Sequence, residues 1–259
     1  MNHGSIFSGI GGFEYAAKLL DWENIFNVEK EDFCRQVLKY HYPNAKQYEN
    51  VEEFRATDYA GRIDILTGGF PCQPFSAAGK RKGTADERYL WDEMLRVIRE
   101  CAPRYVVAEN VSGLVNWNGG EVFEIVCADL EGTGYEVLPL LFPAAGAGAP
   151  QKRERVFFIA YLPDSHSKQL EQGHRKGKAT GTAAQKQRTD TPHKPNSWEA
   201  FPRFDPICSG INGLSAQLHR ITFSRWRKES VKAYGNAVVP QVALQIFRVI
   251  SAFEAARRV

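Results

Sequence analysis

Over its first 162 residues the chain alternates short apolar runs with stretches whose apolar positions recur at helical spacing. Ile6-Phe7 leads into a glycine turn, after which Phe13 to Leu20 reads as a helix. Asn24 to Val28 reads as a strand, and about Asp32 to Tyr40 as a helix. Ile63 to Leu66 is a short buried strand, and Leu90, Met94, Leu95, Val97 and Ile98 give Tyr89 to Glu100 one apolar helical face. Pro103 closes that helix ahead of a buried strand, Tyr105 to Ala108. Glu121 to Leu130 is helical, while Tyr135 to Leu141 and Val156 to Tyr161 are strand-like. Such alternation predicts an α/β fold built on a doubly wound, mostly parallel sheet.

The pattern breaks after Leu162. Asp164 to Asn196 holds almost no aliphatic residue and is dominated by Lys, Gln, Thr, Gly, His and Ser, as in a flexible insertion or a loop-rich recognition element. Order returns around Trp198 to Phe204. A last helix begins near Val238, with Val242, Leu244, Ile246, Phe247 and Ile250 on its apolar face.

A chain of 259 residues can bury one full core, with or without a small appendage. No apolar run looks long enough to span a bilayer, and the N-terminus lacks a signal-peptide layout. Five cysteines, an odd number, fit a reducing compartment, so a cytoplasmic location is expected. A net charge of +3 is too small to argue for nucleic acid by itself. Its distribution says more, with local clusters at Lys80-Arg81-Lys82, Lys152-Arg153-Glu154-Arg155 and Arg225-Trp226-Arg227-Lys228.

Candidate chemistry begins at Cys72, framed by Pro71 and Pro74 directly after a buried strand. Prolines on both sides stop strand or helix from continuing, so the thiol is expected in a stiff turn at the strand's end, where open α/β sheets bind ligands. Cys34, Cys101, Cys127 and Cys208 lie in ordinary contexts and are read as inert packing. No two cysteines have metal-ligand spacing, and no metal is expected. Phe7-Ser8-Gly9-Ile10-Gly11-Gly12-Phe13 is a glycine turn between strand and helix, and Glu29 ends the next strand, 20 residues after Gly9. A carboxylate so placed can accept both ribose hydroxyls of a nucleoside-containing cofactor. Glu109 is expected to emerge at the same sheet edge as Cys72, where a partly apolar site would raise its proton affinity. Alternation puts Arg153 and Arg155 on one face, able to hold a phosphate or a carbonyl oxygen. Gly235-Asn236-Ala237-Val238 turns into the last helix.

Taken in order, the glycine turn, the acid, Pro71-Cys72-Gln73, Glu109-Asn110-Val111, Gln151-Lys152-Arg153-Glu154-Arg155 and Gly235-Asn236-Ala237-Val238 closely resemble the DNA (cytosine-5) methyltransferases. The resemblance covers roughly residues 1 to 162 and 228 to 259. It implies a Rossmann-like methyltransferase sheet, S-adenosyl-L-methionine as cofactor, and cytosine in double-stranded DNA as substrate of a monomeric enzyme. In that family the cysteine matching Cys72 adds to C6, and the glutamate matching Glu109 serves N3. Arg155, with Arg153 nearby, would steady the base. By the same resemblance Phe7, Gly9, Gly11, Glu29, Asn236 and Ala237 line the cofactor site, and Gln73 and Ser76 meet the DNA backbone. The implied division is a catalytic domain over 1–162, a recognition region over 163–227, and a C-terminal turn and helix over 228–259 that pack back.

Several positions depart from the family. His3-Gly4-Ser5-Ile6 replaces the usual apolar-polar-apolar run, so the first strand is expected to be short or frayed. Asn50 stands where an aspartate usually receives the adenine amino group, and its amide oxygen could accept the same bond. Lys30 replaces an aromatic after the ribose acid. The usual Arg-x-Leu-Thr before the last turn is absent, an arrangement that looks like the short methyltransferases of bacteria and their phages. Trp198, Asn212 and Arg220 are candidate base contacts. RNA cytosine methylation, a catalytically silent DNA-binding relative, and a nicotinamide oxidoreductase stay open as alternatives. The last leaves Pro71-Cys72-Gln73 unexplained.

Overall fold

The computed structural model describes residues 1–71, 85–163 and 223–257. Cys72, Gln73 and Ser76 lie outside the described residues, as do Cys208, Trp198, Asn212, Arg220 and the polar stretch 164–196. Seven strands form one sheet: β1 (Asn2–Ile6), β2 (Glu23–Val28), β3 (Lys46–Tyr48), β4 (Ile65–Gly68), β5 (Tyr105–Val111), β6 (Glu136–Pro143) and β7 (Glu154–Tyr161). Their spatial order is β3-β2-β1-β4-β5-β7-β6. The first five pair in parallel, and β7 runs antiparallel to both β5 and β6. The helices are α1 (Gly12–Lys18), α2 (Asp32–His41), α3 (Ala85–Cys101), α4 (Glu121–Gly132), α5 (Phe223–Asn236) and α6 (Pro240–Arg257).

Period-two alternation along the central strands supplies two cores. Ile6, Leu66, Val106, Ala108 and Phe158 face one layer, with Met94, Val97 and Ile98 of α3 and Val126 and Leu130 of α4. Ile65, Tyr105, Val107 and Phe157 face the other, with Phe13, Ala16 and Ala17 of α1 and Val242, Phe247 and Ile250 of α6. Helices on both faces make the sheet doubly wound, as the alternation predicted. On α2 the buried positions Phe33, Cys34, Val37 and Leu38 recur at helical spacing.

The first strand is neither short nor frayed. β1 holds the centre of the sheet, paired along its length with β2 and over four residues with β4. Its polar residues are buried but partnered: the His3 ring nitrogens contact Asn24 Oδ1 at 2.5 Å and Thr67 Oγ1 at 2.8 Å. Burial lowers the His3 pKa to about 4, so the ring is neutral at physiological pH. Gly4 leaves room for the Phe26 ring, which a Cβ would meet at 2.5 Å. Satisfied polar groups cost little inside a sheet, which is why an apolar pattern is not needed here.

The helical stretch Trp226–Arg257 does reach the length and hydropathy of a membrane span, contrary to the reading of the sequence. It comprises α5 and α6 with a break at 237–239, and Val242, Ala243, Leu244, Ile246, Phe247 and Ile250 are buried against the sheet. One apolar face of α6 therefore belongs to the protein core, while Val249 and Phe253 stay exposed. Glu254 fastens α6 near its end, accepting from Tyr105 Oη at 2.7 Å and Arg104 Nη1 at 3.0 Å. The expected boundary between 227 and 228 falls inside α5, which begins at Phe223.

Candidate active site

The chain runs outward from β1 to β2 and β3, then returns to the other side of β1 as β4. That reversal is a topological switch point, and ligands of open α/β sheets bind outside the carboxyl ends of the strands there. A cleft of about 620 Å³ opens at this place. It is lined by Phe7 and Gly9 after β1, Glu29 and Lys30 after β2, and Gly69, Phe70 and Pro71 after β4. Glu109 and Asn110 of β5, Arg153 and Arg155 at the start of β7, and Lys232, Ala233, Gly235 and Asn236 of α5 complete it.

On the cofactor side, Phe7 and Gly9 adopt positive φ of 51° and 56°, which folds the turn back toward β2. The Ser8 amide donates to the Val28 carbonyl at 3.2 Å. The Gly9 amide donates to Glu29 Oε2 at 2.7 Å, and the Glu31 amide to Oε1 at 2.8 Å. Glu29 is thus fixed by two backbone donors, and each oxygen keeps a further acceptor site. Burial raises its pKa against the opposing pull of these two amides. Below the turn lies a carboxyl that sequence reasoning missed. Glu14 is fully buried, with Oε1 accepting from Asn27 Nδ2 at 2.8 Å, and burial raises its pKa.

Asn50 also lines the cleft. Its Oδ1 already accepts from the Glu52 amide at 3.1 Å, so the adenine bond expected of it would use the oxygen's second lone pair. Gly11 and Ala237 fall outside the lining. Gly11, at φ 93°, backs onto Tyr42, whose ring a Cβ would meet at 2.8 Å. The Ala237 carbonyl instead accepts from Arg153 Nη2 at 2.8 Å.

Gly12 carries the tightest approach in the turn. A Cβ there would lie 2.5 Å from the Val238 carbonyl oxygen, so α1 and the C-terminal turn touch backbone to backbone. Gly12→Ala is expected to destabilise the fold by about 1–3 kcal/mol through overpacking. Denaturant unfolding of the variant against the parent checks this.

The catalytic side is built by register. Gly68 pairs with Ala108, so Gly69 lies level with Glu109. A Cβ on Gly69 would meet Glu109 Oε2 at 3.3 Å, and Asn110 Nδ2 donates to the Phe70 carbonyl at 3.0 Å. The chain entering Cys72 is therefore tied to β5 beside the carboxyl. Glu109 is 7 % exposed. Arg155 Nε lies 2.9 Å from Glu109 Oε1 in an ion pair, but Oε1 has no well-aligned hydrogen bond and keeps acceptor capacity. Burial raises the Glu109 pKa, with Arg155 and Arg153 pulling the other way. The carboxyl can therefore hold a proton at higher pH than an exposed glutamate.

Arg153 lies in the cleft with Arg155 but does different work. Its Nη1 and Nη2 donate to the Gly235 and Ala237 carbonyls at 2.7 and 2.8 Å, closing the end of α5. Arg153, expected near Arg155 as an aid in steadying the base, uses its guanidinium to hold the C-terminal turn against β7. Helix α5 was not legible as a helix because its inward residues, Trp226, Ser230 and Ala233, are only weakly apolar as a set. Their spacing of four and three residues was nevertheless a helical signal. Lys232 of α5 reaches Glu31 at 2.9 Å across the cleft, an exposed pair that adds little stability by itself.

A switch-point cleft with an anchored acid on one side and a buried acid–guanidinium pair on the other gives this α/β domain the layout of a nucleoside-binding fold. The chain belongs to the C-5 cytosine-specific DNA methylase family, whose model matches residues 1–205. The type II methyltransferase M.PspPI of Psychrobacter sp. (strain TA137) is 37% identical over 166 residues, 63% of this chain and 40% of that protein. M.HhaI of Haemophilus parahaemolyticus is 32% identical over 162 residues, 61% of this chain and 48% of its own length. M.AquIA of Picosynechococcus sp. is 34% identical over 174 residues, 60% of this chain and 69% of its own length. The chain spans half or less of the length of M.PspPI, M.BsuFI and M.HaeII. An E. coli prophage protein described as a DNA modification methyltransferase superposes with a TM-score of 0.55 at 26% identity, over 66% of this chain and 48% of that one. S. pombe Dnmt2 shares the fold, with a TM-score of 0.51 at 20% identity over 62% of this chain and 49% of its own.

Proposed function

We propose that the chain transfers a methyl group from S-adenosyl-L-methionine to C5 of a cytosine flipped out of double-stranded DNA. The observation that carries the reading is the level placement of Glu109 and Gly69. It sets a buried, proton-retaining carboxyl beside the segment that runs into Cys72, in one cleft with Glu29. Six carboxylates line that cleft (Glu29, Glu31, Glu49, Glu52, Glu109 and Glu229) against four basic side chains (Lys30, Arg153, Arg155 and Lys232). That balance suits a cationic sulfonium compound. Glu29 would take the ribose hydroxyls, Asn50 the adenine end, and Phe7, Gly9 and Asn236 the remaining walls.

S-adenosyl-L-methionine supplies the methyl group when bound. Cys72 Sγ, as thiolate, forms a bond to C6 of the extruded base. The displaced electron pair makes C5 nucleophilic, and Glu109 donates its proton to N3 as charge develops there. After C5 has been methylated, the C5 proton passes to solvent water, the electron pair restores the C5–C6 double bond as the Sγ–C6 bond breaks to give back the thiolate, and the N3 proton returns to Glu109. Arg155 holds Glu109 in place during these steps. Extruding the base costs a few kcal/mol, so phosphate contacts from the recognition region must offset it. That region lies between the catalytic domain, 1–162, and the C-terminal piece that starts with α5 at Phe223, with Gln73 and Ser76 at the DNA backbone. The enzyme acts as a cytoplasmic monomer in this reading.

Bisulfite sequencing of DNA from cells expressing the protein tests the activity and reads the target sequence together. A duplex carrying 5-fluorocytosine at that target is then expected to trap the protein in a complex that survives denaturing electrophoresis, because no proton can leave C5. A target duplex that is methylated normally but never trapped in its fluorinated form would remove the covalent step.

A further inference from the structure

The wall of the cleft at Glu49, Asn50, Val51 and Glu52 belongs to a segment with little regular structure, running from β3 to the short helical turn Ala56–Tyr59. Such a segment holds its shape only if something outside it takes its backbone groups. Arg96 of α3 does so. Its Nη2 donates to the Val51 carbonyl at 2.6 Å and its Nη1 to the Phe54 carbonyl at 3.1 Å. Nη1 also donates to Glu100 Oε1 at 2.7 Å, and the other oxygen of Glu100 accepts the Ala56 amide at 2.9 Å. Nε donates to Glu93 Oε2 at 2.9 Å, and Nη2 lies 2.8 Å from the same oxygen. The guanidinium thereby donates four hydrogen bonds, and its ion pair with Glu93 adds a charge contact at Nη2.

We propose that Arg96 is a positioning residue for the cofactor: it sets the adenine-side wall of the cleft by fixing the backbone of 51–56 against α3. The proposal rests on the reading of the cleft as an S-adenosyl-L-methionine site. Two features favour this role over general stabilisation. The bonds go to backbone carbonyls of a cleft-lining segment, with the carboxylates of Glu93 and Glu100 orienting the guanidinium rather than competing for it. The helix that carries Arg96 also supplies Leu90 to the cleft lining, so the side chain ties one wall of the cleft to an element that reaches it from another side. Lysine cannot replace the fork, since a single ammonium cannot reach both carbonyls and both carboxylates.

The test compares the parent chain with Arg96→Lys and with Glu100→Gln, which weakens the bonds to the Ala56 amide and to Arg96 Nη1 but leaves Arg96 both of its backbone carbonyl acceptors. Amide hydrogen exchange across 49–56 reads the loop. Calorimetric affinities for S-adenosylhomocysteine and for adenosine alone read the site, and thermal melting confirms that each variant is folded. Arg96→Lys is expected to speed exchange at 51–56 and to weaken both ligands by about ten-fold or more, with Glu100→Gln moving the same way by less. KM for the methyl donor rises by a similar factor while kcat stays within about three-fold, a split that general loss of stability does not produce. Unchanged exchange and affinity in Arg96→Lys, with the parent chain binding both ligands, would overturn the proposal alone. A parent chain that binds neither ligand overturns the cofactor reading and the proposal with it.

Discussion

Cys72→Ser is expected to lower methyl transfer on the order of 10⁴-fold or more while leaving cofactor affinity unchanged. The hydroxyl is a far weaker nucleophile than a thiolate near neutral pH, and no second thiol can take over among the described residues. Cys34 does line the cleft, but it is buried and its pKa is pushed up to about 12 by burial and by the neighbouring carboxylates of Glu29 and Glu31. Burial pushes the Cys101 thiol up to about 12 as well, at the buried last residue of α3. The groups assigned to the cofactor, Glu29 with the Phe7–Gly9 turn, stand on β1 and β2 and do not depend on the thiol. Single-turnover transfer of labelled methyl groups, beside calorimetric binding of S-adenosylhomocysteine, separates the two effects. Full transfer by the serine variant would overturn the mechanism.

Glu109→Gln is the second substitution with a large expected effect, a fall in kcat of about 10²–10³-fold. The amide keeps the shape of the side chain beside Gly69 but has no proton to give to N3. The pH profile carries the sign. Burial raises the Glu109 pKa, so the proton-donating form is present below that raised value and activity declines as pH rises through it. Arg155 opposes the shift, so Arg155→Gln is expected to move this alkaline limb to higher pH even as the rate falls. The same acid contributes stability that is complete below its unfolded pKa of about 4.3 and is lost as pH rises through the folded value. Stability of Glu109→Gln should therefore depend less on pH across that window. An alkaline limb that survives unaltered in Glu109→Gln would assign the titration to another group.

Much of this architecture is legible in the chain because its central strands and amphipathic helices carry strong periods. The apolar runs Ile63–Leu66 and Tyr105–Ala108 overlap β4 and β5, which are buried on both faces over Ile65–Gly68 and Tyr105–Asn110, and α3 shows its inward face plainly. Three features are not legible in that way, for different reasons. β1 carries His3 and Ser5, whose burial is licensed by partners 21 and 64 residues away for His3, which a local window cannot show. β3 is three residues long, too short for alternation to register. The reversal of direction at β7 is a property of pairing with β5, not of the Val156–Tyr161 run itself. Within the site, Glu29, Glu109 and Arg155 meet where strand ends predicted. The hydrogen bonds of Arg153 are not legible locally, because its acceptors, the carbonyls of Gly235 and Ala237, lie 82 and 84 residues downstream.

Helix α6 packs on α1, and Glu254 bonds Arg104 and Tyr105 across separations of 150 and 149 residues. Contacts so remote along the polymer make loop closure slow and place the docking of α6 late in folding. Because α5 and the turn at 235–237 form one side of the cleft, a nascent chain lacking them presents only an open half-site. Competence to bind ligand is thereby tied to completion of the chain through α6, and partial translation products hold no finished pocket.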